Sequence, residues 1–272
     1  MEHSESREPQ RVRRMFDTVA RRYDLLNRLL SLNLDRRWRR QAAAELASEP
    51  LARVLDLCGG TGDLTVELAR SGCARTVICC DFSHAMLERA RPKLRRERVS
   101  ASCMLLEADG LRLPFPDEVF DAVTVAFGVR NLADSANGFR EIHRVLQPGG
   151  RMVVLEFSTP PGPILRRLYG VYLTRVLPRV GDGVSGRVGA YRYLARTISG
   201  FPDPATLAGR IREGGFAGCG WRRLSGGIVA IHTAFRSGSD LRPDLSRRTR
   251  GRRGERGAAP SERGAGSPPA GR

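Results

Sequence analysis

The stretch Arg53-Val54-Leu55-Asp56-Leu57-Cys58-Gly59-Gly60-Thr61-Gly62-Asp63 decides how the rest of the chain is read. The run from Arg53 to Cys58 has the length and apolar character of a buried strand, the glycines interrupt it, and Asp63 to Arg70 has helical spacing. That is a strand, a tight loop and a helix. Gly60 and Gly62 lack a Cβ, so the backbone can turn sharply and a ligand can lie on the loop facing helix-terminal N–H groups. Asp56, at the strand end, can accept from an ammonium group, which suits an amino-acid moiety better than a pyrophosphate.

Working outward, a second apolar run, Thr76 to Cys80, ends at Asp81. It leads into a helix in which Met86, Leu87, Ala90 and Leu94 recur at helical spacing, with Ser83 as its cap and Pro92 expected to kink it. Further strands are predicted at 102–107, 121–127 and 151–157. A helix over 135–146 and a turn at Pro148-Gly149-Gly150 precede the last of these. A closing antiparallel pair is predicted at 217–224 and 227–235. This alternation predicts an α/β fold with a mostly parallel sheet, helices on both faces and ligands at the carboxyl ends of the strands.

With 272 residues the chain can bury a sizeable core without disulfides. Its apolar runs are too short for a membrane span, and the arginine-rich start has no apolar leader segment, so a cytoplasmic protein is expected. The six cysteines include no C-x-x-C pair and mostly lie in apolar runs, which predicts small buried hydrophobes and no metal site. The net charge is +17, yet Lys93 is the only lysine, a bias resembling genome composition more than phosphate recognition. Residues 237–272 contribute +5 of that charge, and the remainder is spread along the chain rather than gathered in a stripe. Only 6% of residues are aromatic, so no specific nucleic-acid partner is expected, while contact with an anionic membrane surface stays open. The tail itself, rich in Arg, Gly, Ser and Pro without an aromatic, is expected to be disordered.

The loop also separates two nucleotide cofactors. A dinucleotide fingerprint requires G-x-G-x-x-G, but Thr65 stands where the third glycine belongs. The acid-x-G-x-G-x-G pattern of S-adenosylmethionine-dependent methyltransferases is met at Asp56, Gly60 and Gly62, with Cys58 in place of the first glycine. Asp81 is placed to accept both ribose hydroxyls. Asp109-Gly110, after the third strand, falls beside the adenine or else forms a turn.

From about Met15 to Phe235 the sequence resembles the ubiquinone/menaquinone biosynthesis C-methyltransferases. Tyr23-Asp24-Leu25-Leu26-Asn27, Ser31, Asp35 and Trp38 are similar to an N-terminal signature in which methionine and histidine stand at the positions of Leu26 and Asp35. Arg144 to Gly150 and Leu155 to Ser158 resemble a second signature, with Gln147 for lysine. The segments 113–117, 127–131, 191–194 and 226–232 also look like family segments. The resemblance implies a Rossmann-like class I methyltransferase with a seven-stranded sheet and an antiparallel closing strand. It divides the chain into an N-terminal helical lid (1–40), a methyltransferase domain (41–236) and a tail (237–272). The implied reaction is methylation of a ring carbon of a polyprenylated quinol, either demethylmenaquinol or a methoxy-benzoquinol. Carried over, the cofactor positions include Thr61, Asp81, Asp109, Gly110 and Ala126; the family usually has Asn-Ala at 109–110 and often serine at 126.

Carbon methylation needs an electron-rich ring aligned behind the sulfonium methyl, and loss of a neighbouring phenolic proton supplies the electron density. Arg130 and Asn131 follow the fourth strand and are assigned to that site. A guanidinium keeps its proton, so Arg130 stabilises a phenolate or orients a water, and Asn131 holds a ring oxygen. The structural alternative for Arg130 is an ion pair with Asp134 or Glu141. His232 is a secondary proton acceptor, Tyr23, Asp24 and Asn27 belong to the lid, and Asp24 could instead cap a helix. Ile164 to Leu177 forms one apolar helical stripe flanked by arginines, suited to a bilayer surface, a tail groove or an ordinary core. Three alternatives stay open: a methyltransferase of another aromatic molecule, a non-catalytic S-adenosylmethionine- or nucleic-acid-binding module, and a homodimer.

Overall fold

Strand β1 (Leu51–Leu57) buries Val54, Leu55, Asp56 and Leu57 in succession rather than alternately, as expected of a strand covered on both faces. The computed structural model describes residues 9–20, 23–47, 50–179 and 190–238. Among the described residues three helices, α1 (Pro9–Val19), α2 (Tyr23–Ser31) and α3 (Leu34–Ala44), precede β1. Then follow α4 (Asp63–Ser71), β2 (Ala74–Asp81), α5 (His84–Arg96), β3 (Cys103–Glu107), β4 (Phe120–Ala126), α6 (Ser135–Val145) and β5 (Leu146–Phe157). The described chain closes with α7 (Pro163–Val171), α8 (Ala190–Ser199), α9 (Pro204–Glu213), β6 (Gly218–Leu224) and β7 (Val229–Phe235). One seven-stranded sheet runs β3-β2-β1-β4-β5-β7-β6. Its first five members are parallel, and β7 lies antiparallel between β5 and β6. Between β1 and β4 the strand order reverses, which opens the crevice where ligands bind in such sheets.

Each side of the sheet has its own core. On one, Leu55, Phe120, Val123, Phe139, Ile142 and Ile211 bring α6 and α9 against the strands. On the other, Val54, Trp38, Ala42, Leu64, Leu68 and Val153 bring α3 and α4. Side-chain caps set the helix starts: Ser83 accepts from the Met86 N–H, Asp134 from Asn137, and Asp203 from Ala205 and Thr206. Of the cysteines, Cys73, Cys79, Cys80 and Cys219 are buried.

Several expectations shift. Pro92 lies inside α5, which continues from His84 to Arg96. Pro148-Gly149-Gly150 is not a turn before the strand but a bulge within it. Between the pairs Phe120–Leu146 and Ala122–Arg151, β4 advances two residues and β5 five, and Gly149 absorbs the excess at φ +79°. Helix α3 runs across position 40, where the lid is expected to end. The described residues through Gly238 form one compact unit. The disordered tail predicted for 237–272 lies outside the described residues except at its first two positions.

Gly128, just past β4, is packed against the loop after β1: a Cβ there would stand 2.4 Å from the Cys58 Cβ. Cys58 has little room to yield, because it sits at φ +56°. Gly128→Ala is therefore expected to cost about 1–3 kcal/mol of stability through overpacking. Urea unfolding measures it, and a change within about 0.5 kcal/mol, the range of a neutral surface substitution, contradicts this packing.

Candidate active site

The carboxyl ends of β1 and β2 place two carboxylates side by side in the interior. Asp56 is fully buried and accepts from the hydroxyls of Thr65 (2.6 Å) and Thr124 (3.0 Å). Asp81 accepts from the Gly60 N–H (2.8 Å) and the Ser83 N–H (2.9 Å). Burial is the main influence on both and pushes each up to about 6, against the opposing pull of these hydrogen bonds. Gly60, at φ +56°, has nothing within 4 Å of where a Cβ would be, so the space over the loop is open. Gly62 works differently: at φ +79° it starts α4 and lets Ala90 of α5 approach to 3.3 Å of its missing Cβ. A small cavity of about 30 Å³ beside the loop is lined by Asp56, Gly60, Thr61, Ala126, Tyr23 and Arg39.

The N-terminal helices are latched to this loop. Thr61 donates to Asp24 (2.5 Å) and accepts from Lys93 (3.0 Å), and the Lys93 ammonium also reaches Asp24 (2.6 Å) and Asp63 (2.5 Å). Thus the hydroxyl of Thr61 serves the latch, and Asp24 is a latch residue rather than a helix cap. Burial tends to raise the Asp63 pKa, but Arg39 and Lys93 hold it below the usual range. Farther along, Asp17 of α1 accepts from Ser83 (2.5 Å), and Phe16 packs edge-on against Phe82, the neighbour of Asp81.

Past the loop opens a larger, mainly apolar cavity of about 340 Å³, which shares Tyr23 and Arg39 with the small one. Its walls come from α2, α3, the end of β4, α7 and α8; its polar members include Arg130, Asn131, Asp35, Tyr169 and Tyr193. Arg130 is 5% exposed, and its Nη1 donates to Glu156 Oε1 at 2.6 Å. Phe127 and Phe157 lie under the guanidinium at 5.9 and 5.1 Å from their ring centroids. The Asn131 amide oxygen accepts from the Tyr193 hydroxyl at 3.4 Å. Asp35, where the resembled signature has histidine, pairs with Arg39 (2.5 Å) and accepts from Ser31 (2.8 Å).

The structure brings Asp56, Gly60, Thr61, Ala126 and Asp81 around the loop, and Arg130 with Asn131 in the larger cavity. Asp109 is exposed and accepts from its own neighbour Leu111 (2.9 Å), the turn geometry considered beside the adenine reading. Gly110 is buried against Leu57 and Leu132. The Ala108 N–H donates to the Asp81 carbonyl (3.1 Å), which keeps this pair beside Asp81. The ion-pair alternatives for Arg130 fail: Asp134 caps α6 and Glu141 pairs with Arg144, while Glu156 holds Arg130. His232 is not in the cavity. Its Nε2 faces the Pro204 carbonyl at 3.0 Å, and burial lowers its pKa to about 4. Sequence reasoning missed Glu156, Arg39, Lys93 and Tyr169. The first stood inside a quoted signature, and the third was conspicuous as the only lysine.

The apolar stripe over 164–177 divides. Leu173 and Leu177 are buried, Tyr172 donates to the Leu30 carbonyl (2.7 Å), and Ile164 and Leu168 are 77% and 63% exposed. A π-helical turn, Tyr172–Val176, lies at the change.

Known proteins agree with this architecture. Among solved structures, the methyltransferase bound to the Haloferax volcanii Trm112 activator superposes with a TM-score of 0.60 at 17% identity, covering 82% of this chain and 97% of that one. A Thermotoga maritima S-adenosylmethionine-dependent methyltransferase gives 0.56 at 18%, covering 83% and 100%. At these identities the likeness concerns the fold. In sequence, the demethylmenaquinone methyltransferase of Mycolicibacterium paratuberculosis is 49% identical over 228 residues, 84% of this chain and 95% of that protein. Those of Corynebacterium kroppenstedtii and Mycobacterium tuberculosis are each 45% identical, covering 84% and 85% of this chain and 95% of either relative. The sequence model of the ubiE/COQ5 methyltransferases matches residues 4–236, the span that supplies the sheet, the glycine loop and the cavity. Fold, loop and relatives converge: this chain is a methyltransferase of the ubiE/COQ5 methyltransferase family.

Proposed function

We propose that the chain transfers a methyl group from S-adenosylmethionine to a ring carbon of a polyprenylated demethylmenaquinol. One observation carries the reading: a buried guanidinium, Arg130, in the wall of an apolar cavity that adjoins an open glycine loop. A quinol with an isoprenoid chain needs that combination, an apolar channel for its tail and a fixed positive charge for its ring oxygen. The name carried by the relatives favours the naphthoquinol over the methoxy-benzoquinol.

The loop suits the cofactor. When bound, S-adenosylmethionine supplies an electrophilic methyl on a sulfonium. Asp81 would accept from the ribose hydroxyls, and Asp56 and the Gly60–Thr61–Gly62 backbone would hold the amino-acid end. Arg39 spends one amino group on Asp35 and offers its other N–H groups to the carboxylate. Asp109, Gly110 and Ala126 would lie beside the base and the sulfonium. In the larger cavity Arg130 stabilises the quinolate, so that the neighbouring ring carbon gains electron density, and Asn131, with Tyr193 behind it, orients the oxygen. The latch of Asp24, Thr61 and Lys93 keeps water from the methyl path.

The cavity mouth supports peripheral contact with an anionic membrane, which is where a long-chain quinol resides. Leu32, Leu34, Leu165 and Leu168 line the cavity and are also 80, 36, 37 and 63% exposed. Exposed Arg36, Arg37 and Arg167 neighbour them in sequence. Among the described residues no helix is long and apolar enough to cross a membrane.

The direct test is incubation of the protein and S-adenosylmethionine with reduced demethylmenaquinone. A product heavier by one methylene and methylated on carbon supports the reading; no product, or methylation on oxygen, refutes it. Cofactor affinity should also follow the two buried acids. The ionised carboxylates accept more strongly and on both oxygens, so protonation on lowering the pH through about 6 weakens binding, while ligand-free stability falls as pH rises from the ordinary aspartate range through about 6. Calorimetry at pH 5 and 7.5 should show at least about a tenfold loss at the acid end, equivalent to one protonation over one pH unit. A flat profile contradicts this role of Asp56 and Asp81. On anionic vesicles at low salt the protein should sediment, and Leu32→Asp should release it; indifference of both forms to the vesicles removes the membrane contact.

A further inference from the structure

Two buried polar atoms in the wall of the larger cavity have no hydrogen-bond partner: the Tyr169 hydroxyl and the Arg130 Nε. The first belongs to α7 and the second to the turn after β4, so they reach the cavity from separate elements. Phe157 connects them, since Tyr169 packs in the same cluster as Phe157 and the Arg130 guanidinium lies over that ring. A desolvated hydroxyl with nothing to bond is a cost that a packed wall does not require, because phenylalanine would fill the same space. The neighbouring tyrosine shows the contrast: Tyr172 stacks on Tyr169 and uses its own hydroxyl on the Leu30 carbonyl.

We infer that Tyr169 is a further substrate-binding residue, whose hydroxyl donates to a ring oxygen of the quinol while Arg130 Nε supplies a second donor. The inference rests on the quinol reading above and adds a residue that composition and motif did not single out. Tyr169 acts as a donor and not as a base, since burial, the largest influence on it, pushes the phenol well above its ordinary range despite the nearby positive Arg130. The quinol then brings the partner that both atoms lack. The arrangement also fixes which end of the substrate enters first. The ring goes to the polar pair, and the isoprenoid chain stays along Leu165 and Leu168 towards the mouth.

Tyr169→Phe separates this role from packing, because it removes only the oxygen. In the ligand-free protein the change removes an uncompensated buried hydroxyl, so the melting temperature should stay level or rise. Binding is measured under anaerobic conditions on protein loaded with S-adenosylhomocysteine, using a short-chain 2-prenyl-1,4-naphthoquinol and the matching 2-prenylnaphthalene without hydroxyls. The variant should bind the quinol about 5- to 10-fold more weakly, with kcat reduced at least tenfold, and should bind the hydrocarbon as the native protein does. Equal weakening for both ligands, or for neither, overturns the inference, as does a role confined to holding a water against Arg130, which would move stability and leave both affinities alone. If the native protein itself binds the quinol no better than the hydrocarbon, the quinol reading fails and takes this inference with it. If Tyr169→Phe does not fold, the same comparison is made on Tyr169→Met with the native protein's quinol-to-hydrocarbon preference as the reference, and retention of that preference counts against the proposal.

Discussion

A single buried ion pair sets what the large cavity can do. Arg130 and Glu156 sit at the ends of two adjacent parallel strands, 5% and 1% exposed at their side chains. Removing either partner would strand a charge in the interior, at about 3–5 kcal/mol. Such a pair contributes little to stability compared with a well-packed apolar pair, so its value lies in position. It fixes a cation beside Phe127 and Phe157 in a cavity that is mainly apolar, where a negative charge developing on a ligand would be stabilised far more than in water.

The rest of the site is arranged around that point and carries its own costs. Asp56 and Asp81 are held in the interior with pKa values near 6, a sign that the ligand-free fold resists their ionisation. Cys58 and Phe127 both adopt positive φ at the carboxyl ends of β1 and β4, where the two loops meet. These two strained residues, the two buried acids and the unpartnered Arg130 Nε and Tyr169 hydroxyl lie together about the crevice. The distribution is that of a scaffold whose stability is made in the two cores and spent at the crevice. Helix α2 is tied to the glycine loop through Lys93, the only lysine in the chain.

The sequence made the scaffold legible because its signals are local. The glycine loop, the apolar run ending at Asp81, the Ser83 cap and the closing antiparallel pair each occupy a few consecutive residues, and all appear where the pattern places them. The Pro148-Gly149-Gly150 segment misled because a bulge and a turn need the same residues, and only the partner strand distinguishes them. Half of the candidate site was legible. Asp56, Asp81, Arg130 and Asn131 lie at strand ends, which topology alone points to the crevice. Glu156 pairs with Arg130 across 26 residues and Lys93 with Asp24 across a longer separation still, and no periodicity reports such pairs. Tyr169 was hidden differently: at helical spacing among leucines it reads as part of an apolar stripe, and its hydroxyl becomes informative only when its lack of a partner is seen.

If Arg130 acts as described, the consequence is measurable on the substrate itself. Absorbance titration of a reduced demethylated naphthoquinol, bound to protein loaded with S-adenosylhomocysteine, follows ionisation of the ring hydroxyl directly. The quinolate band should appear at lower pH in the site than in free solution. Ionisation at the same pH, or at a higher one, would contradict the account.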